Sequence, residues 1–492
     1  KRKVVNMNNH TMMTDEYELT MSESYFLDGK KDEVVYFDAF FRSIPFESGY
    51  AIMAGGREIV DYIQNLKFTS DDIEYLRSLN TFDEKFLNYL KDFHFTGTIK
   101  MIPDGTPVFA NEPIVTVKAP TIEAQIVETC LLSYLNANIK FATAGRRMVD
   151  AAQGIPIMEF GARRADGPEA ATMASKAAYI AGCVGTSNML AGKKYNIPVM
   201  GTMAHSMVTE AESEYEAFLR YAKTFPNNTL LLVDTYDTLK SGVPNAIRVA
   251  KEYLIPNGYR LKGIRIDSGD LAYLSKEARK QLDEAGLTDA KICLSNGLNP
   301  KTIASLLAQG AKIDTIGAGD NIAAPKERVG CVYKLVAKEM DSTIDPRIKV
   351  SDDAIKTINP GYKKVYRFYD KETGYALGDV IAVHDEQIPL DGYTLIDPQN
   401  EFNRKYLENY TVRELQEEVI KDGKLVKPLP TVQEEQKYCA SQMETLYPEV
   451  RRLENPHKYY VDLTEKLLQL KKELIGEHKA KVTEGPVLCK KK

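Results

Sequence analysis

The chain has 492 residues, 43% apolar and 27% charged, which is enough for two or three domains with separate cores. Its formal net charge of -5 excludes a general nucleic-acid binder, although a local basic pocket is compatible with it. No apolar run reaches the roughly 18 residues needed to span a bilayer, and Lys1-Arg2-Lys3 leads into polar residues instead of an apolar signal segment.

In chain order, residues 34–60 and 95–120 are rich in Val, Ile, Phe and Thr and broken by turns such as Pro103-Asp104-Gly105, which predicts strands. The stretch 121–153 reads as two helices. From about 155 to 337, short apolar runs alternate with amphipathic stretches. The predicted strands there are Ile155–Phe160, Ile197–Gly201, Thr229–Asp234, Leu261–Ile266, Lys291–Leu294, Ala311–Ile316 and Cys331–Ala337. Helix starts fall between them: Asp166-Gly167-Pro168-Glu169, with a capping carboxylate before a proline, a capping box at Thr209-Glu210-Ala211-Glu212, and Asn299-Pro300. Repeated β-α units predict a parallel sheet, closed as a barrel or open.

Residues 345–400 resemble the N-terminal flank, with turns at Asn359-Pro360-Gly361 and Asp391-Gly392, so both flanks are expected to build one mostly antiparallel domain. The stretch 405–475 reads as mostly charged helix, and the last residues as a frayed tail. The expected organisation is 1–120 and 341–400 as the mixed β domain, 121–340 as the α/β barrel, and 401–492 as a helical region. Cysteines 130, 183, 293, 331, 439 and 489 form no CxxC pair, and no HxxxH spacing occurs. A reducing, cytoplasmic protein without a structural metal is expected.

The chemistry lies after the strands. Ile155–Phe160 runs into Gly161-Ala162-Arg163-Arg164, Ile197–Gly201 into Thr202-Met203-Ala204-His205-Ser206, and Thr229–Asp234 into Thr235-Tyr236-Asp237. Leu261–Ile266 runs into Asp267-Ser268-Gly269-Asp270, Lys291–Leu294 into Ser295-Asn296-Gly297, and Ala311–Ile316 into Gly317-Ala318-Gly319-Asp320. Carboxyl ends of parallel strands share one face, so these segments are expected to converge. Arginines and glycine turns suit phosphate, and carboxylates suit ribose hydroxyls or hydrated Mg²⁺. Each element also has a structural reading: a surface arginine pair, a tight turn at Gly317-Ala318-Gly319, a helix cap at Asp270, a buried histidine at position 205. Only their convergence makes a site.

Glu159-Phe160-Gly161-Ala162-Arg163-Arg164, Gly201-Thr202-Met203-Ala204-His205-Ser206 and Arg265-Ile266-Asp267-Ser268-Gly269-Asp270-Leu271 resemble the nicotinate phosphoribosyltransferases. So do Thr14-Asp15-Glu16-Tyr17-Glu18-Leu19-Thr20-Met21, Phe41-Arg42-Ser43-Ile44-Pro45-Phe46 and Asn455-Pro456-His457-Lys458-Tyr459. The resemblance runs from about residue 12 to 465. It implies a type II phosphoribosyltransferase fold, an irregular α/β barrel with a mixed, mostly antiparallel β domain from both chain flanks. It also implies the condensation of nicotinate with phosphoribosyl pyrophosphate to nicotinate mononucleotide on the route to NAD. ATP hydrolysis would be coupled through a phosphohistidine, with Mg²⁺ carried by the substrate, and the enzyme formally classed as a ligase. By this resemblance His205 is the phosphorylated residue and Arg163, beside Arg164, holds the 5′-phosphate. Asp267 and Asp270 face the ribose and pyrophosphate–magnesium region. Phe160 and Tyr17 sandwich the pyridine ring, and Arg265 orients it. Thr209, Ser295, Asn296, Gly297, Gly317 and Gly319 complete the expected substrate-binding set. A tyrosine contributed by a second subunit implies a homodimer with shared active sites.

Two features depart from related patterns. Gly317-Ala318-Gly319-Asp320 stands where Gly-Val-Gly-Thr is common, replacing a hydroxyl with a carboxylate. Ser187 stands where nicotinamide-using relatives carry an aspartate, and a neutral residue favours a substrate carboxylate. The structural alternative for Ser187 is a plain helix position. Competing readings are a nicotinamide or quinolinate phosphoribosyltransferase, or a non-catalytic sensor of phosphoribosyl pyrophosphate or nucleotides.

Overall fold

The computed structural model describes residues 9–341, 343–351, 357–398 and 400–483. Lys1-Arg2-Lys3, Cys489 and the expected frayed tail beyond 483 lie outside them. No helix among the described residues is long and apolar enough to cross a membrane. The described cysteines are all buried free thiols. The chain divides into two compact units, one of residues 1–139, 328–430 and 441–492, the other of 140–327 and 431–440.

The first unit is built from both flanks of the chain. Its seven-stranded sheet is antiparallel and interleaves them, in the order 343–346, 331–340, 34–41, 115–120, 98–101, 417–421 and 424–425. Apolar residues of these strands, among them Phe41, Val115, Val117 and Ile99, are wholly buried, which fixes the register by placing one side-chain set in the core. A four-stranded sheet orders 410–414, 363–370, 376–383 and 461–463, the last pair parallel. The stretch 121–153 forms two helices, Thr121–Ile126 and Glu128–Ala151.

Two expectations fail here. Cys331–Ala337 is a strand, but it extends to Met340 and pairs antiparallel with 34–41, outside the β-α series. The segment from 405 is not helix: Asn400–Leu407, Tyr410–Glu414, Glu417–Lys421 and Lys424–Leu425 are strands, and helix appears only at Val432–Glu444 and Glu465–Thr483. Charge density is a poor guide here because the charged side chains of these strands stay at least partly exposed while Ile420 and Leu407 pack inward.

The second unit holds a six-stranded parallel sheet in the order 185–186, 157–159, 315–318, 291–294, 263–266, 230–232. Ile264, Ile266, Ile292, Cys293, Leu294 and Ile316 are wholly buried, as expected for parallel strands packed beneath crossover helices. The expected strand Ile197–Gly201 is reduced to one parallel bridge, Val199 to Thr186, while Gly185–Thr186 is a strand too short to show a pattern. Val199 thus extends one edge and 230–232 forms the other, and no ladder joins them among the described residues: the barrel is irregular.

Helix starts follow the sequence in part. Asn299 caps Pro300–Ala308 through the Thr302 N–H at 2.9 Å, and Asp270 caps Leu271–Glu284 through Tyr273 at 3.0 Å. Pro168 does open Pro168–Ile180, but its cap is Gly167 at φ 109°, and the Asp166 carboxylate makes no cap. Thr209 lies inside the helix His205–Glu210. The next helix is capped by Ser213, which accepts from Glu216 at 3.2 Å.

Candidate active site

All the groups described next belong to the second unit, except Tyr17. On the strand Gly263–Ile266 successive side chains point to opposite faces, so the partly exposed Arg265 turns away from the face that holds Ile264 and Ile266. Its guanidinium reaches three neighbours: Nε donates to Ser295 Oγ at 2.8 Å, one Nη to Thr202 Oγ1 at 3.1 Å, the other to Asp267 Oδ1 at 3.0 Å. Ser295, itself buried, donates its proton to the same Asp267 oxygen at 2.5 Å. Burial would raise the Asp267 carboxyl, but the Ser295 hydrogen bond and the Arg265 charge outweigh it and hold the group below the usual aspartate range. The surroundings of Asp267 therefore favour its ionised form.

His205 opens the helix His205–Glu210. Its Nδ1 lies 3.1 Å from Thr235 Oγ1, and its Nε2 lies 3.8 Å from Asp267 Oδ2. The ring is 43% exposed, so both a carboxylate and solvent can reach it. Segments following four different strands or bridges thus meet around Asp267.

Phe160 is set by close packing. Its N–H donates to Ala318 O at 2.7 Å, and the Arg265 guanidinium carbon lies 5.7 Å from its ring centroid, a cation–π contact of about 0.5–2 kcal/mol. A Cβ on Gly317 would sit 2.6 Å from Phe160 Cδ2, and one on Gly161 would sit 2.6 Å from Gly319 O. Both glycines are there to let chain and ring approach.

Two positioning residues escaped the sequence reading. Glu159, wholly buried, accepts from Ser175 at 2.9 Å, Thr186 at 2.6 Å and the Gly161 N–H, so it fixes the turn carrying Phe160 and the arginines. Asp234 Oδ2 accepts from the Asp267 N–H at 3.1 Å and Ser268 Oγ at 2.5 Å, holding the Asp267 turn, while its Oδ1 is buried without a partner. The signal was present at both positions: a carboxylate ending an apolar strand needs buried donors.

The remaining expected residues are not drawn into this cluster. Arg163 and Arg164 form an exposed 3₁₀ turn, and Arg164 lies 3.3 Å from Asp320 Oδ1, so the carboxylate that departs from the common glycine turn serves as its counter-ion. A cavity of about 390 Å³, lined by Ala162, Ala165, Pro168, Thr172, Asn188 and Leu190, opens beside that turn. Ser187 is exposed and lies before a helix, not on it; its N–H donates to Glu159 O at 2.9 Å, and Asn188 caps Met189–Tyr195. Asp270 spends one oxygen on its helix cap. Asn296 and Gly297 make an exposed turn at φ 104° and 56°, closed by Asn321 on Gly297 O at 3.0 Å. Gly319 precedes the short helix Asp320–Ala323. Thr209 is exposed and bonds only back to Ser206 O at 3.2 Å. Tyr17 lies in the first unit on the helix Glu16–Leu27, 44% exposed, its phenol raised by burial and by Glu128.

Comparison with known proteins accords with this arrangement. Residues 12–136 match the nicotinate phosphoribosyltransferase (NAPRTase) N-terminal domain, 155–384 the nicotinate phosphoribosyltransferase (NAPRTase) family, and 362–471 the nicotinate phosphoribosyltransferase C-terminal domain. Nicotinate phosphoribosyltransferase of Bacillus subtilis (strain 168) is 42% identical over 479 residues, covering 96% of this chain and 97% of the relative. That of Caenorhabditis elegans is 33% identical, covering 93% and 92%. The crystal structure of human nicotinic acid phosphoribosyltransferase superposes with a TM-score of 0.83 at 28% identity, covering 94% of this chain and 99% of that one. The chain belongs to the nicotinate phosphoribosyltransferase family.

Proposed function

We propose that this family member joins nicotinate to phosphoribosyl pyrophosphate and couples the reaction to ATP through a phosphohistidine at His205. The observation that carries the reading is the cluster of Arg265, Ser295, Asp267 and His205 beside the Phe160 ring. The pyridine nitrogen attacks the anomeric carbon as the bond to pyrophosphate breaks, and pyrophosphate leaves with the electron pair. No base is required, because the nitrogen of nicotinate is already a free nucleophile. What the site must supply is orientation and charge stabilisation.

Phe160 is assigned to one face of the ring and Arg265 to the electrostatics beside it. The other face is assigned to Tyr17 of a second copy, which makes the active form a homodimer. Asp267 is assigned to the ribose, where its carboxylate stabilises growing oxocarbenium character. Asp270 keeps the weaker assignment to the pyrophosphate region, since one of its oxygens is spent on the cap. Arg163 and Arg164 are assigned to the 5′-phosphate, and their exposure supports access by a charged ligand. Magnesium arrives with the pyrophosphate as part of the substrate. His205 serves as phosphoryl acceptor, taking the ATP γ-phosphoryl group on a ring nitrogen and releasing ADP.

The assay is nicotinate mononucleotide formation with nicotinate, phosphoribosyl pyrophosphate and Mg²⁺, with and without ATP. Product and ADP rising together support the coupled reaction. Turnover with nicotinamide in place of nicotinate would transfer the assignment and remove the argument from Ser187. Product formation indifferent to ATP would remove the phosphohistidine.

A further inference from the structure

The first unit holds a cavity of about 290 Å³ made only of its own residues, at the small end of the range for ligand pockets. Leu377 and Val450 give it an apolar lining, and Tyr447 and Tyr460 give it ring surface. Lys405, half-buried on the strand Asn400–Leu407, also lines it, with Nζ 5.8 Å from the Tyr447 ring centroid and 5.9 Å from that of Tyr460.

The shape is held from behind. Tyr459, another lining residue, donates to Asp379 Oδ1 at 2.9 Å and stacks on Phe109 at 3.8 Å between centroids. Tyr447 stacks on Tyr375 at 4.5 Å. Neither ring can swing to fill the space without breaking these contacts.

The charges at the cavity are unequally matched. Lys458 pairs with Asp397 at 2.8 Å, and Glu449 lies 3.8 Å from Arg452. Lys405 makes no ion pair among the described residues, only a long 3.4 Å hydrogen bond to Leu377 O and the two ring contacts. Its burial pushes the ammonium down from the usual lysine value, with Asp370 opposing, so the cation would gain from a bound anion.

We propose that this cavity is a second ligand site, for a small monocarboxylate with a flat or apolar body. Its carboxylate sits on the Lys405 ammonium and its body packs on Tyr447 and Tyr460. One ammonium answers one negative charge. The second ammonium of the lining, Lys458, is already paired with Asp397, and Glu449 adds a carboxylate, so little positive charge is left for a phosphate dianion. Cation and ring surface together suit a carboxylate on an aromatic or compact aliphatic frame.

The test uses the unmodified full chain. It is pulsed with an amine-acylating reagent at neutral pH, and occupancy of each lysine is read by mass spectrometry. Benzoate is the probe, inorganic phosphate at equal ionic strength the control, and exposed Lys371 the internal reference. Benzoate at about ten times its dissociation constant should slow acylation of Lys405 roughly tenfold by mass action, leaving Lys371 unchanged. No protection of Lys405 by benzoate overturns the proposal. Equal protection by phosphate overturns it too, because the site would then be a general anion contact.

Discussion

His205 Nδ1 and Thr235 Oγ1 lie 3.1 Å apart, and this contact ties together the two unpaired edges of the parallel sheet. His205 follows Val199, which bridges to the 185–186 strand, and Thr235 follows 230–232 at the other edge. If His205 takes up a phosphoryl group as proposed, its place at the seam of an incompletely closed barrel would couple a change in charge to loop arrangement. His205→Ala should give no ATP-dependent phosphoprotein by mass spectrometry. Thr235→Val, which preserves shape, should keep labelling but slow it about fivefold, the worth of one hydrogen bond of about 1 kcal/mol. Undiminished labelling of the alanine variant would sink the phosphohistidine role.

The Phe160 ring depends on a missing side chain. Gly317→Ala would set a methyl 2.6 Å and 2.7 Å from two ring carbons, closer than any real contact, so the ring must move. KM for nicotinate should rise about tenfold, roughly 1.4 kcal/mol of lost binding, with KM for phosphoribosyl pyrophosphate little changed. Equal rises in both constants would point to general disruption instead.

The charge on Asp267 rests on its donors. Ionised Asp267 contributes above its unfolded pKa, and that contribution is lost as pH falls through its depressed folded pKa. Ser295→Ala removes the hydrogen bond that most lowers the carboxyl, so the acid limb of kcat/KM should move to higher pH. An acid limb unmoved by the substitution would mean that another group sets it.

A pH effect of opposite sign belongs to the first unit. Glu112 is wholly buried beside the Arg367–Asp379 ion pair, and its Oε1 finds no donor. Burial and then the neighbouring Asp379 carboxylate push Glu112 well above the usual glutamate range, which favours its protonated form. Its contribution is complete below the unfolded glutamate pKa and is lost as pH rises through the folded one. Glu112→Gln, neutral and of the same shape, should flatten the alkaline fall in Tm. A variant with the wild-type pH profile would place the proton elsewhere.

Much of the site was legible because strand ends are. Apolar runs such as Lys291–Leu294 mark most of the parallel strands, and the polar residue that follows such a strand faces the carboxyl end of the sheet. His205, Asp267 and Ser295 follow such runs, and Arg265 lies on the strand itself. Glu159 and Asp234 were missed because most of their partners lie 16 to 34 residues away, and a carboxylate ending an apolar strand signals the need for donors without naming them. Thr209 and Asp166 were misread as caps because several residues near a helix start can satisfy the same local rule.

The family, the parallel series of β-α units and the identity of the residues gathered after the strands are all legible in the order of amino acids. Hydrophobic periodicity and turn chemistry are local, and each is written within a dozen residues. Only the tertiary structure decided that 331–340 leaves the series to pair with 34–41, and that charged residues beyond 400 run as strands. It also decided that Arg265, Ser295 and Asp267 form one hydrogen-bonded unit while Arg163, Ser187 and Thr209 stand outside it. Those outcomes depend on which distant surface buries a given face and satisfies its polar groups, and that is settled only when the whole chain competes for the same partners.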